Sequence, residues 1–195
     1  MKRRIIFATL LIAAIASMGI SSIKQDSVEE VKIEPIVVTP EEQSVAAAPE
    51  PIEPEWLVDV PLDESLQEHI WNRCNEYGIV DNYELIYAVI RTESNYTANI
   101  VSSTDDYGLM QINACNHDWL GGKLGIVDFL DPYQNVDAGI YLLQYLLNKY
   151  DTVEEALMCY NLGEGGAAKR WRDGVYTTSY TEKVLAYYNE IIKDI

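Results

Sequence analysis

Cations are in short supply in this chain: 14 Lys and Arg stand against 31 Asp and Glu among 195 residues, a net charge of −17. That shortage excludes a nucleic-acid partner, because no basic face is left to neutralise phosphates. It also removes the usual electrostatic attraction to an anionic surface. Histidine and cysteine are scarce too, at two and three residues. No C-x-x-C spacing occurs, and His69 and His117 do not cluster with Cys74, Cys115 and Cys159. A structural zinc site wants four tetrahedral ligands, so neither a metal nor a cofactor is expected. Proline is nearly missing after residue 61, since six of the seven lie between Pro35 and Pro61. No internal repeat is present, and no alternation of strands with helices suggests a parallel sheet.

What is there divides into three parts. Lys2, Arg3 and Arg4 precede an uncharged, mainly apolar run from Ile5 to Ile20. The run falls short of the roughly 20 apolar residues of a membrane span. Residues 1–21 therefore read as an export signal, with a retained N-terminal membrane anchor as the alternative. Small residues near the end (Ala14, Ala16, Ser17, Gly19) offer cleavage points, none in a clean A-x-A site. Without a cysteine, the segment does not read as a lipoprotein anchor. Residues 22–61 read as an acidic, proline-rich linker. Ten acidic residues and two lysines lie between Lys24 and Val60, a net of −8, with no apolar periodicity. Such a composition cannot bury enough surface to offset chain entropy. Residues 62–195 hold the core-forming residues and carry a net charge of −12. With an odd number of cysteines, at least one is unpaired within the chain. One internal disulfide suits an exported protein, and the sequence does not select the pair.

Within the domain, Leu62, Leu66, Ile70 and Cys74 recur every four residues, so a helix is expected from about residue 61 to 75, before Gly78. Asp81 or Asn82 caps a second helix over Tyr83–Thr92. Residues 94–125 read as loop with strand-like pieces around 107–112. Asp131-Pro132 starts a third helix. Thr152-Val153-Glu154-Glu155 is a capping box opening a short helix through Tyr160, which Gly163-Glu164-Gly165-Gly166 breaks. A last helix begins near Thr181. The expected fold is mainly α: a helical domain with a small loop and hairpin lobe.

Glu93 is the informative residue. Ile86, Val89, Ile90 and Glu93 stand at offsets 0, 3, 4 and 7, placing a carboxylate on the buried stripe of its helix. Burial and the negative end of the helix dipole both disfavour its ionisation. A carboxylic acid still protonated near neutral pH can give a proton to a glycosidic oxygen. The structural alternative is an ion pair with a buried cation. Arg91 points to another face, so no local partner is evident.

The text that follows adds a resemblance. Glu93-Ser94-Asn95-Tyr96, Ser102-Ser103, and Gly108-Leu109-Met110-Gln111-Ile112-Asn113 resemble the SLT-type lytic transglycosylases of the lysozyme-like superfamily. The likeness continues through Asn135-Val136 with Gly139, Cys159-Tyr160-Asn161 with Gly163, and Tyr180 with Val184, in family order. It implies a sugar-binding cleft, peptidoglycan glycan strands as the partner, and Glu93 as sole catalytic acid and base. In that family the bond between N-acetylmuramic acid and N-acetylglucosamine is cleaved with closure of a 1,6-anhydro ring. The resemblance gives substrate-binding roles to Ser94, Met110, Gln111, Tyr160, Asn161 and Tyr180. In an acidic domain such a substrate must be held by stacking and hydrogen bonds. Cys159 replaces the family's usual alanine and reads as a small core residue.

One stretch departs from that pattern. Ser103-Thr104-Asp105-Asp106-Tyr107-Gly108 looks like animal c-type lysozymes, placing Asp106 where those enzymes keep a second carboxylate. Asp106 is thus either a turn former or a second catalytic group. The rivals to transglycosylation are a hydrolytic muramidase using Glu93 and Asp106, and a non-catalytic wall-binding module. All place the domain outside the cytoplasmic membrane, secreted or anchored at the cell wall.

Overall fold

The computed structural model describes residues 56–193. The expected signal and most of the expected linker lie outside the described residues. Among the described residues six α-helices follow one another: α1 (Glu64–Glu76), α2 (Tyr83–Ser94), α3 (His117–Leu124), α4 (Pro132–Lys149), α5 (Val153–Arg172) and α6 (Ser179–Ile191). Between α2 and α3 lies a two-stranded antiparallel hairpin, β1 (Asp106–Tyr107) with β2 (Ile112–Asn113). Its register pairs Asp106 with Asn113 and Tyr107 with Ile112.

Helix α2 is the centre of the domain. Leu85 and the run from Ile86 to Ile90 are buried on every side, so the amphipathic stripe read from the sequence was too narrow. A helix apolar all round needs neighbours all round. It packs against α1 and most extensively against α6, while α4 packs on α1 and α5. Each fully buried aliphatic side chain contributes roughly 1.5–3 kcal/mol. Arg91 ties α2 to α6 by an ion pair with Glu190 at 2.7 Å and lies 3.9 Å from the Tyr187 ring centroid. The helix ends at Asn95, a left-handed cap with φ +48°.

Helix ends follow their chemistry. Asp131 accepts from the Gln134 amide with Pro132 at the first turn of α4. Thr152 and Glu155 form the expected capping box, and Thr178 with Thr181 forms another ahead of α6. Three expectations need correction. Residues 94–125 are not all loop: α3 forms despite Gly121-Gly122, because Leu120 is fully buried. The helix opened by Thr152 does break at Gly163 (φ +67°, ψ 158°), as the glycine cluster suggested, but a further helical segment not expected there runs on to Arg172 with Ala167 buried. The expected linker reached residue 61, yet Val58 is packed into the core and its amide donates to Gln67 Oε1 at 3.0 Å. The hydrophobic anchor Val58 lies just before the proline that suggested the boundary. Among the described residues, no helix is long and apolar enough to cross a membrane.

Candidate active-site cleft

A cavity of about 420 Å³ opens between the hairpin, α4 and the kinked part of α5. Glu93 and Asp106 both line it, with Gln111, Asn113, Tyr160 and Asn161. Residues far apart in the chain thus meet where the hairpin and the C-terminal end of α2 line one cavity.

Glu93 sits in the last turn of α2, partly buried. Burial pushes its carboxyl from the usual 4.5 up to about 7; the Tyr180 hydroxyl opposes that rise, the Asp106 charge adds to it, and Lys183 opposes it. Tyr180 Oη donates to Glu93 Oε1 at 2.6 Å. Among the described residues no ion pair reaches Glu93, since Arg91 is engaged with Glu190. Burial holds the Tyr180 phenol well above its ordinary range, so it remains a donor.

Asp106 is set up in the opposite sense. Burial would raise its pKa, but hydrogen bonds from Ser102, Thr104 and Asn113 outweigh that and hold it below the usual value. Oδ2 accepts from Ser102 Oγ at 2.7 Å and Thr104 Oγ1 at 2.5 Å; Oδ1 accepts from Asn113 Nδ2 at 2.8 Å. One cleft therefore holds a carboxyl with raised pKa and a carboxylate fixed in its charged form. The hairpin register supplies Asn113 as the cross-strand partner of Asp106.

The turn between the strands is built by packing from below. Gly108 has φ +73°, and a Cβ there would lie 2.4 Å from Asn135 Nδ2 and 2.8 Å from the Phe129 carbonyl oxygen. Fully buried Asn135 donates to the Tyr107 and Phe129 carbonyls at 2.7 Å each and accepts from the Met110 amide at 2.8 Å. Gln111, also at positive φ (+48°), presents itself to the cleft while its Nε2 donates to the Gly108 carbonyl at 2.8 Å. Such strained non-glycine residues concentrate at functional sites. Tyr160 Oη donates to the Met110 carbonyl at 2.8 Å, locking α5 to the turn.

Three residues expected to bind substrate, Met110, Ser94 and Tyr180, do not line the cavity. Met110 is fully buried, and Gly139 leaves room for it: a Cβ at 139 would fall 2.2 Å from Met110 Sδ. Its side chain is core, and only its backbone serves the site. Ser94 is buried with its hydroxyl donating to the Ile90 carbonyl at 3.1 Å, back into its own helix. Tyr180 acts on Glu93 from α6. Neither Asn135, beyond its motif, nor Asn113 stood out from the chain alone: Asn113 meets Asp106 through hairpin register, and Asn135 reaches the turn from α4. Cys74, Cys115 and Cys159 are all free thiols, with Cys115 and Cys159 on the cleft wall. Burial pushes the Cys159 thiol pKa up, which suits an inert core residue. Among the described residues, no group of three or more His, Cys, Asp or Glu is placed to hold a metal ion.

The model of the transglycosylase SLT domain matches residues 69–184. A transglycosylase of Enterobacteria phage PRD1 is 33% identical over 105 residues, 54% of this chain and 37% of its own length. Membrane-bound lytic murein transglycosylase F of Desulfosudis oleivorans is 32% identical over 91 residues, 43% of this chain and 19% of the relative. The chain thus spans well under half of the curated relatives it matches. Its fold is that of an inactive mutant of the lytic transglycosylase Slt from Pseudomonas aeruginosa, at TM-score 0.56 and 18% identity, covering 66% of this chain and 24% of that one. The 70 kDa soluble lytic transglycosylase of Escherichia coli superposes at TM-score 0.53 and 20% identity, over 62% of this chain and 23% of that one.

Proposed function

Because the chain belongs to the transglycosylase SLT domain family, we propose that it is a peptidoglycan lytic transglycosylase with Glu93 as its catalytic acid and base. The observation that carries this reading is a cleft carboxyl raised to about 7, held by the Tyr180 hydroxyl and free of any ion pair among the described residues. Glu93 gives its proton to the oxygen joining N-acetylmuramic acid to N-acetylglucosamine, and the C1–O bond breaks. The glucosamine residue leaves with a new hydroxyl. Glu93, now a carboxylate stabilised by Tyr180, takes the proton of the muramoyl 6-hydroxyl, whose oxygen closes on C1. The 1,6-anhydro ring forms, no water is consumed, and Glu93 returns to its protonated state. Gln111, Tyr160 and Asn161 line the cleft as candidate sugar contacts.

Asp106 favours a second reading, a hydrolytic muramidase, because it shares the cleft and stays charged. Three hydrogen bonds on its two oxygens make it a poor nucleophile or base. They suit it better to stabilising positive charge as the C1–O bond breaks. Mass spectrometry of digested peptidoglycan separates the readings. Anhydro ends are expected from the wild type, and from Asp106→Asn with a substantial part of the activity kept. Reducing ends, with Asp106→Asn as inactive as Glu93→Gln, would establish the muramidase instead. Loss of the general acid in Glu93→Gln should lower the rate at least about 10²-fold; near-normal turnover by the folded variant would remove Glu93 from this role. The same proposal takes residues 1–21 as an export signal or anchor and residues 22 to about 55 as a spacer, with the domain working at the cell wall.

A further inference from the structure

Two exposed aromatics stand within one helical turn, along the chain, of residues that line the cleft. Cys115 and Asn116 line the cavity, and Trp119 follows in α3. Leu142 and Leu146 line it from α4, and Tyr145 lies on the adjoining stripe of that helix. Trp119 and Tyr145 are 43% and 37% exposed, yet neither is loose. Their rings meet edge to face at 6.2 Å, and Trp119 meets Tyr141 in the same way at 6.0 Å. Tyr145 Oη donates at 3.4 Å to Glu164, itself a cavity-lining residue that also pairs with Lys149. Glu164 thus joins the aromatic pair to the cleft wall.

A fixed, exposed indole is a face waiting for a flat apolar partner. A pyranose offers one in its axial C–H groups, which carry partial positive charge and meet the negative face of a π-system. The acidity of the domain disfavours an anionic occupant but is indifferent to an uncharged N-acetylhexosamine. A cavity of about 420 Å³ is in the small-molecule range, so a glycan strand must run out of it along a rim. We propose that Trp119, backed by Tyr145, forms a further sugar subsite that stacks an N-acetylhexosamine of the strand beyond the Glu93 cleft. This rests on the glycan-cleaving reading above and adds a residue that sets preference for chain length.

The test uses the full chain. Glu93→Gln, with and without Trp119→Ala, is titrated calorimetrically with β-1,4-linked N-acetylglucosamine oligomers from disaccharide to hexasaccharide. Affinity should rise with length, and Trp119→Ala should remove roughly tenfold of it for the hexasaccharide while leaving the disaccharide unchanged. Trp119→Phe should recover part of the loss. In turnover of peptide-free glycan strands, Trp119→Ala should raise KM with kcat nearly constant, as expected for lost binding common to ground and transition states. An equal loss at every length, or none at any, overturns the subsite. Should the wild type bind the hexasaccharide through Trp119 yet release no product from peptidoglycan glycan strands, the cleavage reading falls and the subsite stands. Should it cleave strands while Trp119→Ala keeps the wild-type KM, the subsite falls and the cleavage reading stands.

Discussion

Replacing Glu93 by glutamine should make the protein more stable as well as inactive, and the gain should depend on pH. In the folded chain burial raises the Glu93 carboxyl from 4.5 to about 7. The native state therefore keeps a proton that the unfolded chain gives up as pH passes 4.5. Stability linked to this group is fully present below the unfolded pKa and is lost as pH rises through the folded one. At 1.36 kcal/mol per pKa unit, the loss above pH 7 reaches about 3 kcal/mol as a ceiling. Domains have only about 5–15 kcal/mol in all, so the change is well within reach of measurement. Glutamine is never ionised, and its amide oxygen can still accept from Tyr180. Urea denaturation of wild type and Glu93→Gln across this range should give a constant stability difference below about pH 4.5. A gain for the variant should then grow toward neutrality and level off above about pH 7, reaching up to about 3 kcal/mol. A difference that does not change with pH would refute the raised pKa, and with it the physical basis for Glu93 as a proton donor.

Tyr180→Phe removes the hydroxyl that favours ionised Glu93, so the basic limb of the kcat/KM–pH profile should move upward from about pH 7; an unmoved limb would show that the 2.6 Å bond does not tune the acid. A chain beginning at Trp56 should fold as well as the full-length protein in thermal melts, whereas one beginning at Leu62 loses the packed Val58 and should be about 1.5–3 kcal/mol less stable. Equal melting of the two would place the boundary at 61 after all. Gly139→Ala drives a methyl toward Met110, 2.2 Å from its sulfur, and should destabilise the fold by about 1–3 kcal/mol. Because Met110 carries the turn that presents Gln111, wall lysis should fall as well; wild-type stability and lysis would show that the packing is softer than the geometry implies.

The sequence by itself determined whatever depends on near neighbours. Helix spacing put Glu93 on a buried stripe, and the chemistry of Asp131-Pro132 and the Thr152 capping box set helix starts that the structure shares. The run of motifs from Glu93 to Val184 was enough to point to the family whose model matches residues 69–184. Tertiary structure decided what depends on distant pairs. Local text could not tell that Met110 turns inward, because that depends on the bare face of Gly139 on another helix. Nor could it choose between turn former and cleft carboxylate for Asp106, which lies in strand β1 on the cleft wall. Its charged form is fixed by Ser102, Thr104 and Asn113, and Asn113 arrives only through hairpin register. The α3 helix and the helical segment after the break at Gly163 were hidden for the same reason: local propensity opposed them, and burial of Leu120 and Ala167 overrode it. The raised pKa of Glu93 belongs to both levels. Its position in the helix was legible, but its desolvation and the hydroxyl of Tyr180 come from the folding of α6 against α2.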